Sequence, residues 1–145
     1  MIQIKKDAPI IPFEGLGGIK LYSSIYDLRE ILSSDSVVSS VINGDWIRYD
    51  VQRCIELFFH MKNKKLFRIT TLEEYSGKLF GGISVGTAEK EMLKIEPSFT
   101  YDDFEEVWEC PKGVFIEMDA ATNTVKWISV YIKELDADDF DEAQW

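Results

Sequence analysis

Two similar segments of the chain decide the expected fold: residues 17–23, Gly-Gly-Ile-Lys-Leu-Tyr-Ser, and residues 81–87, Gly-Gly-Ile-Ser-Val-Gly-Thr. Both read as a short strand that follows a glycine turn, and both end in Ser or Thr, which are favourable helix N-caps. The correspondence extends to the apolar pairs Leu28/Met92 and Ile31/Ile95. These similarities predict an internal repeat.

Each of the two segments leads into a stretch with helical periodicity. Residues 24–32 place four aliphatic side chains on one face, those of Ile25, Leu28, Ile31 and Leu32. Residues 88–95 likewise place three apolar side chains on one face, those of Ala88, Met92 and Ile95. Because this spacing gives one apolar stripe, we expect amphipathic helices at 24–32 and 87–95, in equivalent positions of the two halves.

Strand-like segments follow each predicted helix. They are residues 46–49, 55–61 and 66–72 in the first half, and 106–109, 114–118 and 125–132 in the second. Residues 62–64 and 120–123 have turn composition and would join the last two strands of each half into a hairpin. Each half therefore reads as a strand, a helix and a three-strand meander.

The predicted fold class is α+β, in a single domain that spans residues 1–145. Its repeat-like halves are residues 16–72 and 80–133, whose meanders form one antiparallel sheet with the two helices packed on one face. Residues 1–15 form a leading arm, in which Pro9 and Pro12 restrict regular structure to an edge. Residues 134–145, ELDADDFDEAQW, form an acidic C-terminal tail.

Charge is distributed unevenly along the chain. Residues 1–72 contain ten Lys/Arg and eight Asp/Glu, whereas residues 73–145 contain six Lys/Arg and eighteen Asp/Glu. The net charge is therefore +2 in the first half and −12 in the second. The negative electrostatic field of the second half attracts partners of positive charge and repels nucleic acid and anionic membrane. We expect neither nucleic acid nor membrane as a partner.

Composition indicates a soluble globular protein, with 46% hydrophobic and 29% charged residues. No apolar run approaches the roughly 20 residues of a membrane span. The Asp7-Ala8-Pro9 stretch interrupts any apolar core of a signal peptide. We therefore predict a cytoplasmic location, in which Cys54 and Cys110 stay reduced and buried.

Catalytic and metal-binding patterns are scarce. His60 is the only histidine and alternates with Phe59 and Met61, so it is expected on the solvent side or on the opposite face of its strand. One histidine and two distant cysteines do not supply the usual zinc ligands. The glycine pairs precede strands and match no phosphate-binding motif. We predict no catalytic residues, no metal site and no cofactor.

Residues 101–109, Tyr-Asp-Asp-Phe-Glu-Glu-Val-Trp-Glu, interleave five acids with four large apolar side chains. A charge run is usually a solvated face, but aromatic side chains among acids also suit a protein interface. The tail has the same composition, with Phe140 and Trp145 among its acids. The predicted partner-binding residues are Tyr101, Asp102, Asp103, Glu105, Glu106, Trp108, Glu109, Asp138, Asp139 and Asp141.

Together, the small domain, the acidic runs at 102–109 and 136–142 and the degenerate GGIKL/GGISV duplication resemble immunity proteins of bacterial toxin–immunity systems, including contact-dependent growth inhibition. The stretch GGISVGTAEKEMLKI also resembles the small repeat domains of inhibitors of the β-lactamase-inhibitor type. The resemblance implies a protein that binds and neutralises a cognate basic toxin domain, such as a nuclease. Two alternatives stay open, a small enzyme that uses carboxylates and an acidic adaptor or structural domain.

Overall fold

The structure is a computed structural model that describes residues 3–33, 37–42 and 44–145. It is mostly antiparallel β-sheet with two short α-helices, which confirms the α+β class. The first two residues of the predicted arm lie outside the described residues. Within the described part, no helix has the length and apolar character that crossing a membrane requires.

The described residues form ten strands and two α-helices, in addition to two 3₁₀ helices near the C-terminus. Strands β1 (Gly15–Leu16) and β2 (Ile19–Lys20) pair in a small separate hairpin. The other eight form one sheet in the order β3-β4-β5-β6-β10-β9-β8-β7. Their bounds are β3 (Val37–Ile42), β4 (Trp46–Val51), β5 (Ile55–His60), β6 (Leu66–Thr71), β7 (Thr100–Asp102), β8 (Val107–Cys110), β9 (Val114–Asp119) and β10 (Thr124–Tyr131).

The large sheet consists of two four-strand meanders that meet at its centre. Strands β6 and β10, the last of each meander, pair antiparallel with Ile69 opposite Val130. The prediction of three strands in each meander was wrong, because β3 and β7 each add an edge strand. The β3 sequence Val-Val-Ser-Ser-Val-Ile does not alternate, and β7 is three residues long inside an acidic run, so neither carries a strand pattern.

Both helices are shorter than predicted. Helix α1 is Arg29–Leu32, because Ser24 and Asp27 hold the preceding residues in a turn. The Ser24 backbone N–H donates to Oδ2 of Asp27, and the Asp27 N–H donates to Oγ of Ser24. Helix α2 is Glu89–Ile95. Thr87 does not cap it, since its Oγ1 accepts from the N–H of Ser84 instead.

The core lies on one face of the sheet. Side chains from the strands, including Leu57, Ile69 and Ile116, pack there with Leu28 beside α1 and Met92 of α2, and all five are buried. The N-terminal arm contributes to the same core, since Ile10 is buried and its N–H donates to the carbonyl oxygen of Lys78. We call this side of the sheet the core face.

The opposite side, which we call the outer face, carries charged and aromatic residues that face one another across the strands. Residues that pair across neighbouring strands share a face. Arg48 pairs with Phe58, Phe58 with Arg68, and Thr70 with Ser129. The Arg68 guanidinium lies 4.4 Å from the ring centroid of Phe58 and 4.6 Å from that of Phe115. Burial between these rings lowers the pKa of Arg68 to about 10.

Candidate binding hairpin and the docked tail

The acidic segment 101–109 forms the β7–β8 hairpin at one edge of the sheet. Tyr101 pairs with Trp108, and Asp102 pairs with Val107. The turn between them is organised by Asp102, whose Oδ1 accepts hydrogen bonds from the backbone N–H groups of Phe104 and Glu105, at 2.9 and 3.1 Å. The carbonyl oxygen of Asp102 also accepts from the N–H of Glu106. The tip is therefore an ordered turn.

This turn holds a large apolar side chain out in solvent. Phe104 is 90% exposed and Tyr101 is 47% exposed. The neighbouring carboxylates of Asp103, Glu105 and Glu106 are exposed as well. Exposing a Phe ring leaves apolar area in water that a partner could cover. Phe104 was not among the predicted site residues, because alternation alone does not show that it lies at a hairpin tip.

Trp108 supports the hairpin from the side of α2. It is half-buried, and its indole Nε1 donates to Oε1 of Glu89 at 3.0 Å. Its ring lies 5.2 Å from that of Tyr101 in a tilted edge contact. Glu89 is held in turn by Asn123, whose Nδ2 donates to Oε2 at 2.9 Å. Trp108 therefore fixes the orientation of Tyr101 as well as contributing surface of its own.

An open groove of about 920 Å³ lies beside the hairpin. Its walls combine the two aromatic rings of Tyr101 and Trp108 with several carboxylates and one cation. The acidic residues are Glu89, Glu106, Glu117 and Asp119, and the cation is Lys126. Carboxylates beside aromatic rings are the chemistry that binds Lys and Arg side chains, through ion pairs and cation–π contacts.

Glu109 lies on the outer face, away from the groove. Although Glu109 is exposed, desolvation by the side chains around it raises the pKa of its carboxyl above the ordinary value, and repulsion from Asp102 and Asp136 adds to this effect. Asp136 belongs to the first of two 3₁₀ helices in the tail, Lys133–Asp136 and Phe140–Glu142. The start of the tail thus adds negative charge near the hairpin.

The remaining predicted residues, Asp138, Asp139 and Asp141, lie in the tail, which is docked on the sheet. All three side chains are exposed. Oδ1 of Asp141 lies 3.2 Å from Nε2 of His60 in β5. Strand β5 is five positions from β7 in the sheet, about 24 Å at the usual strand spacing. The structure therefore separates the predicted residues into a hairpin group and a tail group.

Aromatic contacts hold the tail in place. Phe140 is 5% exposed and packs on Phe67 with the ring centroids 5.1 Å apart. The Trp145 ring stacks on Phe140 at 5.3 Å, and its Nε1 donates to the Phe140 carbonyl oxygen. His60 lies on the face opposite Phe59, as its alternation predicts, but it is fully buried because these two rings cover it.

A pair of carboxylates lies on the outer face, separate from the hairpin group and the tail group. Asp50 of β4 is directly opposite Glu56 of β5. Burial raises the pKa of Glu56 to about 7, and the hydrogen bond and charge of Asp50 add to the rise. Arg48 lies near both carboxylates, with Nε 3.4 Å from Asp50 and 3.6 Å from Glu56. A carboxyl with this pKa is what the alternative carboxylate enzyme would require. The pair is not recognisable from the sequence, because its members are not adjacent in the chain.

Among the described residues, no group of three or more His, Cys, Asp or Glu side chains has an arrangement that could hold a metal ion. Cys54 and Cys110 are both free thiols and both buried. Burial raises the pKa of the Cys54 thiol.

Comparison with known proteins shows only the fold. No family model matches the chain, and no curated protein matches its sequence. A similar solved structure is that of a cysteine-rich secretory protein from Staphylococcus aureus subsp. aureus Mu50, with a TM-score of 0.50 and 10% sequence identity. The similarity covers 92% of this chain and 52% of the other, so the chain spans about half the length of that protein.

Proposed function

We propose that this protein is a binding module that engages a basic protein through the β7–β8 hairpin and the groove beside it. The observation that carries the proposal is the groove, in which the rings of Tyr101 and Trp108 stand beside four carboxylates. A Lys or Arg side chain of the partner would enter the groove, and an apolar patch of the partner would cover Phe104. Aromatic anchors supply most of the binding energy in such interfaces.

The partner we propose is a cognate toxin domain with a basic surface, such as a nuclease, which the protein neutralises in the cytoplasm as an immunity protein. A nuclease must attract phosphates, so its active-site surface is cationic. The net charge of −12 over residues 73–145 complements such a surface and would accelerate the encounter. The same charge disfavours binding to nucleic acid or to an anionic membrane.

We also propose that the two halves of the chain are structural repeats. Each half contains a glycine in the left-handed region before its helix, Gly17 with φ of 68° and Gly81 with φ of 76°. Each continues with a short helix and a four-strand meander whose last strand lies at the centre of the sheet. Superposition of residues 17–72 on 81–132 should align α1 with α2. Helices on opposite sides of the superposed meanders would contradict the repeat.

The test is capture of proteins from a lysate of the source cells by three immobilised proteins: wild type, Phe104→Ser, and the control Tyr26→Ser. Tyr26 is 72% exposed but lies near α1, away from the hairpin. A basic protein that wild type and Tyr26→Ser retain equally, and that Phe104→Ser loses, would support the proposed site. Equal retention by all three proteins would contradict it.

The immunity function requires a second step. The captured protein is expressed in a sensitive host, alone or with each of the three forms. Wild type and Tyr26→Ser should restore growth, and Phe104→Ser should restore it less. If the captured protein is harmless alone, the protein is a binding module without an immunity function.

A further inference from the structure

The two edges of the large sheet differ in their protection against pairing with another strand. Strand β7 is three residues long and lies beside the acidic turn. Strand β3 at the other edge is six residues long, Val-Val-Ser-Ser-Val-Ile, and within the described residues it pairs only with β4. It contains no charged residue and no Pro, which are among the usual features that prevent edge-to-edge pairing.

The side chains of β3 leave apolar surface on both faces of this edge. Val38 on the outer face is 64% exposed, and Val41 on the core face is 62% exposed. A strand added beside β3 would satisfy the outward backbone N–H and C=O groups of the edge and cover part of both valines.

An unsatisfied polar atom lies in the middle of the same strand. The Oγ of Ser40 is buried and has no hydrogen-bond partner among the described residues. A buried hydroxyl without a partner is destabilising, and a hydrogen bond to a group outside the single chain would remove this cost. Ser40 lies opposite Arg48 of β4, on the outer face with Val38 and Ile42.

We propose that β3 pairs antiparallel with β3 of a second copy of this chain, about a two-fold axis that passes beside Ser40. In this register the Ser40 residues of the two copies are directly opposite each other, and a rotation of both side chains toward the axis lets their hydroxyls exchange a hydrogen bond. Val38 of each copy lies opposite Ile42 of the other, and Ser39 lies opposite Val41. An axis perpendicular to the sheet keeps the outer faces of both copies on the same side, so the two sheets become one of sixteen strands.

Charge does not oppose a second copy at this edge, although the whole chain has a net charge of −10. Strand β3 is uncharged and lies in the half of the chain whose net charge is +2. The acidic hairpin lies seven strand positions away, about 34 Å. Its repulsion on a second copy is therefore screened, since the Debye length is about 8 Å at physiological ionic strength. The groove beside β7–β8 stays open at each end of the dimer.

The test is sedimentation equilibrium of wild type and two variants, from about 1 µM to about 1 mM. Wild type should associate to a dimer with a micromolar dissociation constant, because one six-residue strand pair is a small interface. Val38→Lys should remain monomeric, because it places a charge against the second copy. The control Phe104→Lys adds the same charge at the other edge and should dimerise as wild type does. A wild type that is monomeric over this range, or a Val38→Lys that dimerises equally, would overturn the proposal.

Cysteine cross-linking tests the register, and the native thiols do not interfere because Cys54 and Cys110 are buried. Ser40→Cys should form a disulfide-linked dimer under mild oxidation, since directly opposite residues have the separation that a disulfide requires. Ser39→Cys would cross-link only if the axis passed one residue earlier. Faster cross-linking of Ser39→Cys would overturn the assigned register and the role of the Ser40 hydroxyl.

Discussion

Nε2 of His60 and Oδ1 of Asp141 lie 3.2 Å apart, although 81 residues separate them in the chain. Nδ1 of His60 accepts from the backbone N–H of Lys62, so Nε2 carries the proton that is donated to Asp141. The rings of Phe140 and Trp145 close over the imidazole beside this bond. The acidic tail is thus part of the folded protein.

Removal of the Phe140 ring should destabilise the whole domain. Phe140→Ala leaves a cavity above Phe67 and His60, and we expect it to lower the free energy of unfolding by about 3 kcal/mol. Urea denaturation followed by Trp fluorescence measures the change. The matched control is Asp139→Asn, which alters an exposed neighbour and should change stability by less than about 0.5 kcal/mol. Equal stability of Phe140→Ala and wild type would mean that the tail is not docked in solution.

The docking of the tail does not follow from the sequence of the tail alone. Acids with Phe140 and Trp145 among them are compatible with a solvated tail and with a docked one. Whether the tail docks depends on its contacts with Phe67 and His60, which lie in strands β6 and β5. No local pattern links these residues to the tail, because the contact depends on how β5 and β6 sit in the complete sheet.

The fold and the candidate site also combine features that follow from local sequence with features that depend on the complete sheet. Strands β5 and β10 follow from their apolar alternation, whereas β3 and β7 depend on neighbours to become strands at all. The groove joins α2, the β7–β8 hairpin and residues of β9 and β10, so its carboxylates could not be grouped from their spacing. The sequence did predict the acidic and aromatic character of the hairpin, which is local.

Trp108 and Tyr101 should give different results when each is replaced by Ala. Trp108→Ala removes a half-buried ring and leaves Glu89 without the indole donor, so we expect a loss of about 2 to 3 kcal/mol in stability. Tyr101→Ala removes an exposed ring and should leave the melting temperature nearly unchanged, while raising the dissociation rate of the partner. Thermal melts of both variants make the comparison. A Tyr101→Ala variant that melts as low as Trp108→Ala would mean that Tyr101 is a structural residue.

Glu56 should make stability depend on pH. Its folded pKa of about 7 lies above the ordinary value of 4.5, so the folded state keeps the proton that the unfolded state loses. The corresponding stability is present below about pH 4.5 and is lost as the pH rises through about 7. We expect a loss of about 1 to 2 kcal/mol, because solvent near the pair screens part of the effect.

Glu56→Gln removes this dependence, because the amide stays neutral throughout. The stability of the variant relative to wild type should therefore increase between about pH 5 and about pH 8. Chemical denaturation at both values measures the change, with Glu30→Gln on the exposed side of α1 as the control. A difference between Glu56→Gln and wild type that does not vary with pH would contradict the raised pKa.

The two thiols should react slowly in the native protein. Cys54 and Cys110 are buried, and the raised pKa of Cys54 lowers its thiolate fraction further. Titration with a thiol reagent should show little labelling before denaturation and two rapid equivalents afterwards. Finding no free thiol in the denatured protein would show that the cysteines are oxidised.

The most direct test of the binding proposal is the association rate of the captured partner with a charge variant of the hairpin, measured by stopped flow over a range of salt concentrations. Asp103→Asn/Glu105→Gln/Glu106→Gln removes three exposed charges and retains Asp102, which organises the turn. The control, Asp138→Asn/Asp139→Asn/Glu142→Gln, removes three charges from the tail. We predict that the hairpin variant associates about tenfold more slowly at low salt, with a weaker dependence on salt, and that the tail variant changes less. Association of the hairpin variant at the wild-type rate in low salt would show that the acidic hairpin is only a solvated surface.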